Sequence, residues 1–114
     1  MSIREQMRKG TTVVIILNLL AEADRPMYGY EIIQELEARS QGYFRFQEGL
    51  IYPRLHELER QGLLRSEWQG EEGSRRRKFY TVTTAGRRRL EDELQGWQAF
   101  TRHVNRLHGV ETPR

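Results

Sequence analysis

A proline stands inside an otherwise helical stretch, Gln47 to Leu64 (QEGLIYPRLHELERQGLL), and this combination constrains the chain more than any other feature. At about 100° per residue, Leu55 and Leu58 fall within about 40° of Ile51, while His56 and Arg60 fall on the opposite side. One face therefore packs and the other is left to read a partner. The Pro53 ring presses on the carbonyl of Gly49, four residues back, and glycine is the residue best able to adjust. The spacing predicts a helix with a strained first half, ended by Gly62 at the C′ position, with Leu63 and Leu64 leading into an extended segment.

On the N-terminal side two more helices are expected. Residues 3 to 9 are polar and helix-compatible, and Gly10-Thr11-Thr12 reads as a break or cap before Val13 to Glu22. This second part is apolar nearly all round, which implies burial on its own domain and against a partner as well. Asp24-Arg25-Pro26 is a turn, with Asp24 supplying a local hydrogen bond and Pro26 a fixed φ. Tyr28 to Arg39 follows with Ile32, Ile33 and Leu36 at helical spacing, and Ser40-Gln41-Gly42 ends it. Tyr43-Phe44-Arg45-Phe46 reads as a short connector packing its aromatics beneath the third helix.

Beyond Gly62 the period changes. Leu64, Ser66 and Trp68 alternate with polar residues, a second strand runs from Arg77 to Val82, and Gly70 to Ser74 is a polar tip carrying Glu71 and Glu72. This predicts a two-stranded hairpin with Trp68 packed at its base. Thr83 is an N-cap for a long helix from Thr84 to about Leu107, whose stripe includes Leu90, Leu94, Trp97, Phe100, Val104 and Leu107. A helix of that length with no further element to cover it implies a partner helix. The expected organisation is 1–83 as one domain, 84–108 as a dimerisation helix and 109–114 as a disordered tail.

Composition narrows the partner. The chain has 114 residues, a net charge of +3, and no cysteine, which excludes disulfides and thiolate metal sites and fits a cytoplasmic protein. Its basic excess is clustered in Arg75-Arg76-Arg77-Lys78 and Arg87-Arg88-Arg89, the footprint expected for a polyanion. Arg4, Arg8 and Lys9 before the apolar run, with Ala21-Glu22-Ala23 after it, imitate a signal peptide, but Glu5 and Asn18 count against one. Val13 to Ala21 is far short of the ~20 residues that span a bilayer, so no membrane partner is expected. His56, His103 and His108 lack metal-ligand spacing, and no nucleotide or nucleophile motif is present, so neither a metal nor a cofactor nor an enzyme is expected.

Three helices followed by a basic hairpin is the order of a winged helix-turn-helix, a mainly α, α+β fold in which a helix reads the major groove and wing arginines reach phosphates. Outward positions on the third helix are Glu48, Gly49, Leu50, Tyr52, Pro53, His56 and Arg60, and its N-terminus favours a phosphate. The bland alternative is the same fold used as a protein-docking adaptor, through the Glu71-Glu72 tip and the outward acids of the second helix.

The residues also resemble a family. Tyr28-Gly29-Tyr30-Glu31-Ile32 is similar to HGYEI, Glu48 to Leu55 (EGLIYPRL) to EGTLYPAL, Leu58 to Leu63 (LERQGL) to LEKEGL, and Arg77 to Gly86 (RKFYTVTTAG) to RKYYRLTEAG, motifs of the PadR-like transcriptional regulators. The likeness covers most of residues 10 to 90. It implies a homodimeric repressor on a pseudo-palindromic double-stranded DNA operator, the C-terminal helix pairing with the other subunit's N-terminal helix. Carried over by position, the DNA-facing residues are Tyr30, Glu48, Gly49, Tyr52, Pro53, Arg77 and Lys78. Helix geometry adds Arg54 and His56, and the basic run adds Arg75 and Arg76. Leu50 stands where the family often has Thr or Ser, so either another donor such as Arg54 or Arg76 supplies that phosphate contact or the contact is lost. Small members of the family resemble drug-responsive repressors that stack flat aromatic ligands at the dimer interface. The corresponding candidates are Trp97 and Phe100, with Val14 and Asn18 on the first helix, although an aromatic on an apolar stripe is also ordinary dimer core.

Overall fold

The computed structural model describes residues 3–70 and 75–109, with side chains from residue 11 onward. Its elements run α1 (Ile3–Ala23), β1 (Met27–Tyr28), α2 (Gly29–Arg39), α3 (Glu48–Arg60), β2 (Leu64–Gln69), β3 (Arg77–Val82) and α4 (Thr84–Leu107). The fold is the expected one: mostly helical, with a small antiparallel sheet and a long C-terminal helix.

Two local expectations are corrected here. α1 runs unbroken through Gly10-Thr11-Thr12. An interior glycine costs about 1 kcal/mol, which is outweighed because the following turns bury Ile16, Leu17, Leu19 and Leu20, each at most 2% exposed. The hairpin is also part of a three-stranded sheet, in the order β1-β3-β2, with Met27 opposite Tyr80 and Tyr28 opposite Phe79. Met27 buries its side chain and β3 offers its edge beside it, so this two-residue strand pairs where a helix start was expected. Tyr28 is thereby the N-cap residue of α2 rather than its first turn.

The core gathers around α3. Ile51, Leu55 and Leu58 are buried as their spacing predicts, against Ile16 and Leu20 of α1, Ile32 of α2 and Tyr80 of β3 in one cluster. Gly62 has φ +76°, the left-handed conformation that favours glycine. Its N–H donates to Glu59 and that of Leu63 to Leu58, a Schellman motif that closes α3 and starts β2 in two residues. The connector behaves differently from its expectation. Phe46 packs on the core, but Tyr43 is 83% exposed, with Phe44 against its edge. Gln41 and Gly42 both have positive φ, and that turn carries Tyr43 outward before the chain reaches α3.

Thr83 fastens α4. Its hydroxyl accepts from Gly86 N–H at 3.0 Å and donates to the Gly62 carbonyl at 2.7 Å, so one side chain caps α4 and grips the turn after α3. Gly86 is buried, and a Cβ there would overlap the Leu63 carbonyl, so α4 starts in close contact with the turn between α3 and β2. Asp24 has φ +50° and sends its carboxylate to Arg87 of α4 at 3.0 Å rather than to its own turn. Beyond Leu94 the helix leaves the core: Trp97, Phe100 and Leu107 are exposed. The wing tip with Glu71 and Glu72, and residues 110–114 of the tail expected to be disordered from 109 on, lie outside the described residues.

Candidate nucleic-acid interface

The free face of α3 is built by its own periodicity. Glu48, Gly49, Pro53, His56 and Arg60 are exposed along it, and Leu50 is 40% exposed on its flank. Pro53 has no N–H to give the Gly49 carbonyl, and nothing lies within 4 Å of where a Gly49 side chain would begin. The first turn of α3 thus offers open backbone to an approaching molecule. Tyr30 of α2, 48% exposed, is the α2 residue expected at this surface.

Other expected residues sit deeper. Tyr52 is half-buried, packed on the core, and its ring occupies the space that a side chain at Gly29 would need. Burial, and then the Glu48 carboxylate, push its hydroxyl above the usual tyrosine range. Arg54 is partly buried and its Nε has no hydrogen-bond partner among the described residues, so only the end of its side chain is available for a phosphate.

The wing divides into cations that are engaged and cations that are not. Lys78 donates to Glu59 of α3 at 2.9 Å, and Ser66 of β2 donates to the same carboxylate. The Lys78 bond, then the Ser66 bond, hold Glu59 below the usual carboxylate range, and Lys78 is held above its own by Glu59. Arg77 lies over the Tyr28 ring, 4.6 Å from its centroid, while Phe79 meets the same ring edge-on at 5.4 Å. Arg75 and Arg76 are exposed and make no ion pair among the described residues. The anchoring role of Glu59 and Ser66 was not anticipated. Glu59 stands about 80° around α3 from Ile51, and the register that sets Lys78 beside it becomes visible only once β2 and β3 are paired.

Trp68 corrects a further expectation. It is 58% exposed instead of packed at the hairpin base, because it pairs with Lys78 near the wing tip, past the last buried cross-strand pair. Of the four residues expected at a ligand pocket, Trp97 and Phe100 stand together on α4, rings 6.2 Å apart and 29° from parallel, 43% and 46% exposed. On α1, Val14 packs against the core and Asn18 donates to Glu22 at 3.4 Å. Glu22 also accepts from Arg39 of α2, which Glu35 holds from the other side. Among the described residues no cluster of histidine and acidic side chains could hold a metal ion, and no helix is long and apolar enough to cross a membrane.

The model of the PadR-like family of transcriptional regulators matches residues 16–92. The chain belongs to this family. A transcriptional regulator of Mycobacterium tuberculosis is 35% identical over 99 residues, 86% of this chain and 89% of that one. Among solved structures, a transcriptional regulator from Clostridium thermocellum superposes with a TM-score of 0.80 at 28% identity, over 89% of this chain and 96% of that one. A PadR family regulator from Eggerthella lenta gives 0.79 at 30% identity, over 96% and 91%. The family match spans α2, α3 and the wing, so the exposed α3 face and the wing arginines lie within the matched residues.

Proposed function

We propose that this PadR-like regulator is a homodimeric repressor that binds a pseudo-palindromic operator through α3 and the wing and is released by a small planar aromatic ligand. The observation that carries the DNA reading is the pair Arg75 and Arg76, exposed and unpaired among the described residues, on a wing fastened to the helix whose other face is free. Cations so placed can neutralise phosphates without breaking an ion pair among the described residues, while His56, Pro53 and the Gly49 backbone face base edges. Tyr30 and Arg54 border the same surface, Tyr52 supports it from beneath, and Lys78 contributes by holding the wing.

Dimerisation is supported by the apolar side chains that α4 exposes, Trp97, Phe100 and Leu107, in a helix of 24 residues. The stacked pair Trp97 and Phe100 supports the ligand reading, since two flat rings on one helix face offer a surface on which a third can lie. Val14 and Asn18 of the other subunit's α1 complete that proposed pocket. The site of action is the cytoplasm, where the operator is.

The test is a titration of the purified protein with duplex from upstream of its own gene and with scrambled duplex, at two salt concentrations. Tighter binding to the upstream duplex at the higher salt supports the reading, and planar aromatic compounds that quench Trp97 should then weaken it. Equal, salt-sensitive binding of both duplexes counts against sequence-specific regulation at that site.

A further inference from the structure

Trp68 is the one large apolar side chain that the wing leaves uncovered among its described residues, and its position is not arbitrary. In β2 and β3 the directly opposed pairs Leu64 and Val82, Ser66 and Tyr80, and Trp68 and Lys78 share one face of the sheet. Lys78 and Ser66 both reach Glu59 of α3 from that face, so it is the side of the wing that looks toward α3. The first of these pairs is buried, the second includes buried Tyr80, and the third overhangs. Lys78 leans back to Glu59 and lies over the Tyr80 ring at 5.5 Å, which leaves the indole of Trp68 at the outer end of the face.

The strand opposite Trp68 carries the basic run, with Lys78 directly across and Arg77 the next residue toward the tip. Arg76 folds back on Gly70, two residues beyond Trp68, and Arg75 and Arg76 are both exposed without an acidic partner among the described residues. A tryptophan left this open carries on the order of 100 Å² of uncovered ring. Opposite a strand whose Arg75 and Arg76 have no acidic partner among the described residues, it matches a partner that is apolar and anionic within a few ångströms. The sugar-phosphate backbone of a duplex has this composition: a deoxyribose face for the ring and a phosphate oxygen that can accept from the indole N–H.

We infer that Trp68 is a DNA-contacting residue of the wing, packing on deoxyribose of the backbone beside the groove entered by α3. This rests on the DNA-binding reading above. The contact joins an uncharged side chain to the backbone and makes no phosphate ion pair, so it adds affinity that is independent both of salt and of base sequence.

The experiment uses the full chain and the duplex it prefers. Trp68→Ala should weaken binding roughly tenfold at every salt concentration, with the slope of log affinity against log salt unchanged, while Trp68→Phe recovers most of the loss. Protein carrying 5-fluorotryptophan should give two fluorine resonances, since the chain has 2 tryptophans. The signal lost in Trp68→Phe should move on adding duplex. Wild-type affinity for Trp68→Ala, or a Trp68 signal unmoved at saturating duplex, overturns the inference while leaving the DNA-binding reading intact. An altered salt slope for Trp68→Ala also overturns it, because the residue would then act by placing the arginines. If the wild-type protein binds no duplex, the DNA-binding reading itself fails, and the inference with it.

Discussion

Lys78 of β3 donates to Glu59 of α3 at 2.9 Å, and this pair joins the wing to the helix it flanks. Both side chains are less than a third exposed, at 27% and 30%, so the bond is worth about 1 kcal/mol. Its carboxylate is held below the ordinary value of 4.5, by Lys78 first and Ser66 second. The unfolded chain therefore binds this proton at a higher pH than the folded one. The contribution is complete above the unfolded value and disappears as the pH falls through the lower folded value. Glu59→Gln should melt earlier than wild type near neutral pH, and the gap should close as the pH is lowered below the ordinary carboxylate value and through the lower folded one. Thermal melts across that range check it, and amide exchange in β2 and β3 should quicken in the variant first.

The division of wing cations makes a separable prediction. Arg75→Ala with Arg76→Ala should flatten the salt dependence of DNA binding by about two in log–log slope. Lys78→Ala should leave the slope close to wild type and lower stability, since its ammonium is already bonded to Glu59. Binding isotherms over a salt series decide between these roles. Equal slope changes for Lys78 and the two arginines would contradict the division.

Much of this was legible in the sequence because a single period governs each well-packed element. Ile51, Leu55 and Leu58 on one side of α3, with His56 and Arg60 on the other, follow from helix geometry alone, and Thr83 and Gly62 act as cap and terminator as their residue types predict. What was not legible depended on pairing across the chain. β1 is two residues long, too short to alternate, and exists only because β3 lies beside it. Trp68 is in phase with Leu64 and Ser66 on the inward face of β2, and nothing local says that the core stops before it. Gly10 has the composition of a helix break, but the packing of the turns that follow it prevails. The Glu59 anchor joins residues 19 apart in sequence and belongs to neither element's own pattern.

Gly29 and Tyr52 fit together where α2 meets α3. A Cβ on Gly29 would overlap the Tyr52 ring, so Gly29→Ala should cost about 1–3 kcal/mol of stability. Adding Tyr52→Ala should make the pair of changes less damaging than their sum. Chemical denaturation of the two single variants and the double variant checks this, and strict additivity would mean that the contact is not the cause.

Trp97 and Phe100 extend past the point where α4 leaves the core, with Leu107 85% exposed near its end. Phe100→Glu should shift the protein from dimer to monomer in sedimentation at micromolar concentration, because a charge would sit in the proposed apolar seam. An unchanged dimer would place the interface elsewhere.

The central claim is that two copies of α3, joined through α4, read DNA. Repeated selection of bound duplexes from a random pool, followed by sequencing, tests it whatever the sequence of the operator. An enriched, inverted pair of half-sites, with centres roughly one helical turn apart, is the predicted result. Enrichment of a single unpaired half-site would contradict the dimeric arrangement, and no enrichment at all would contradict sequence-specific recognition by this chain.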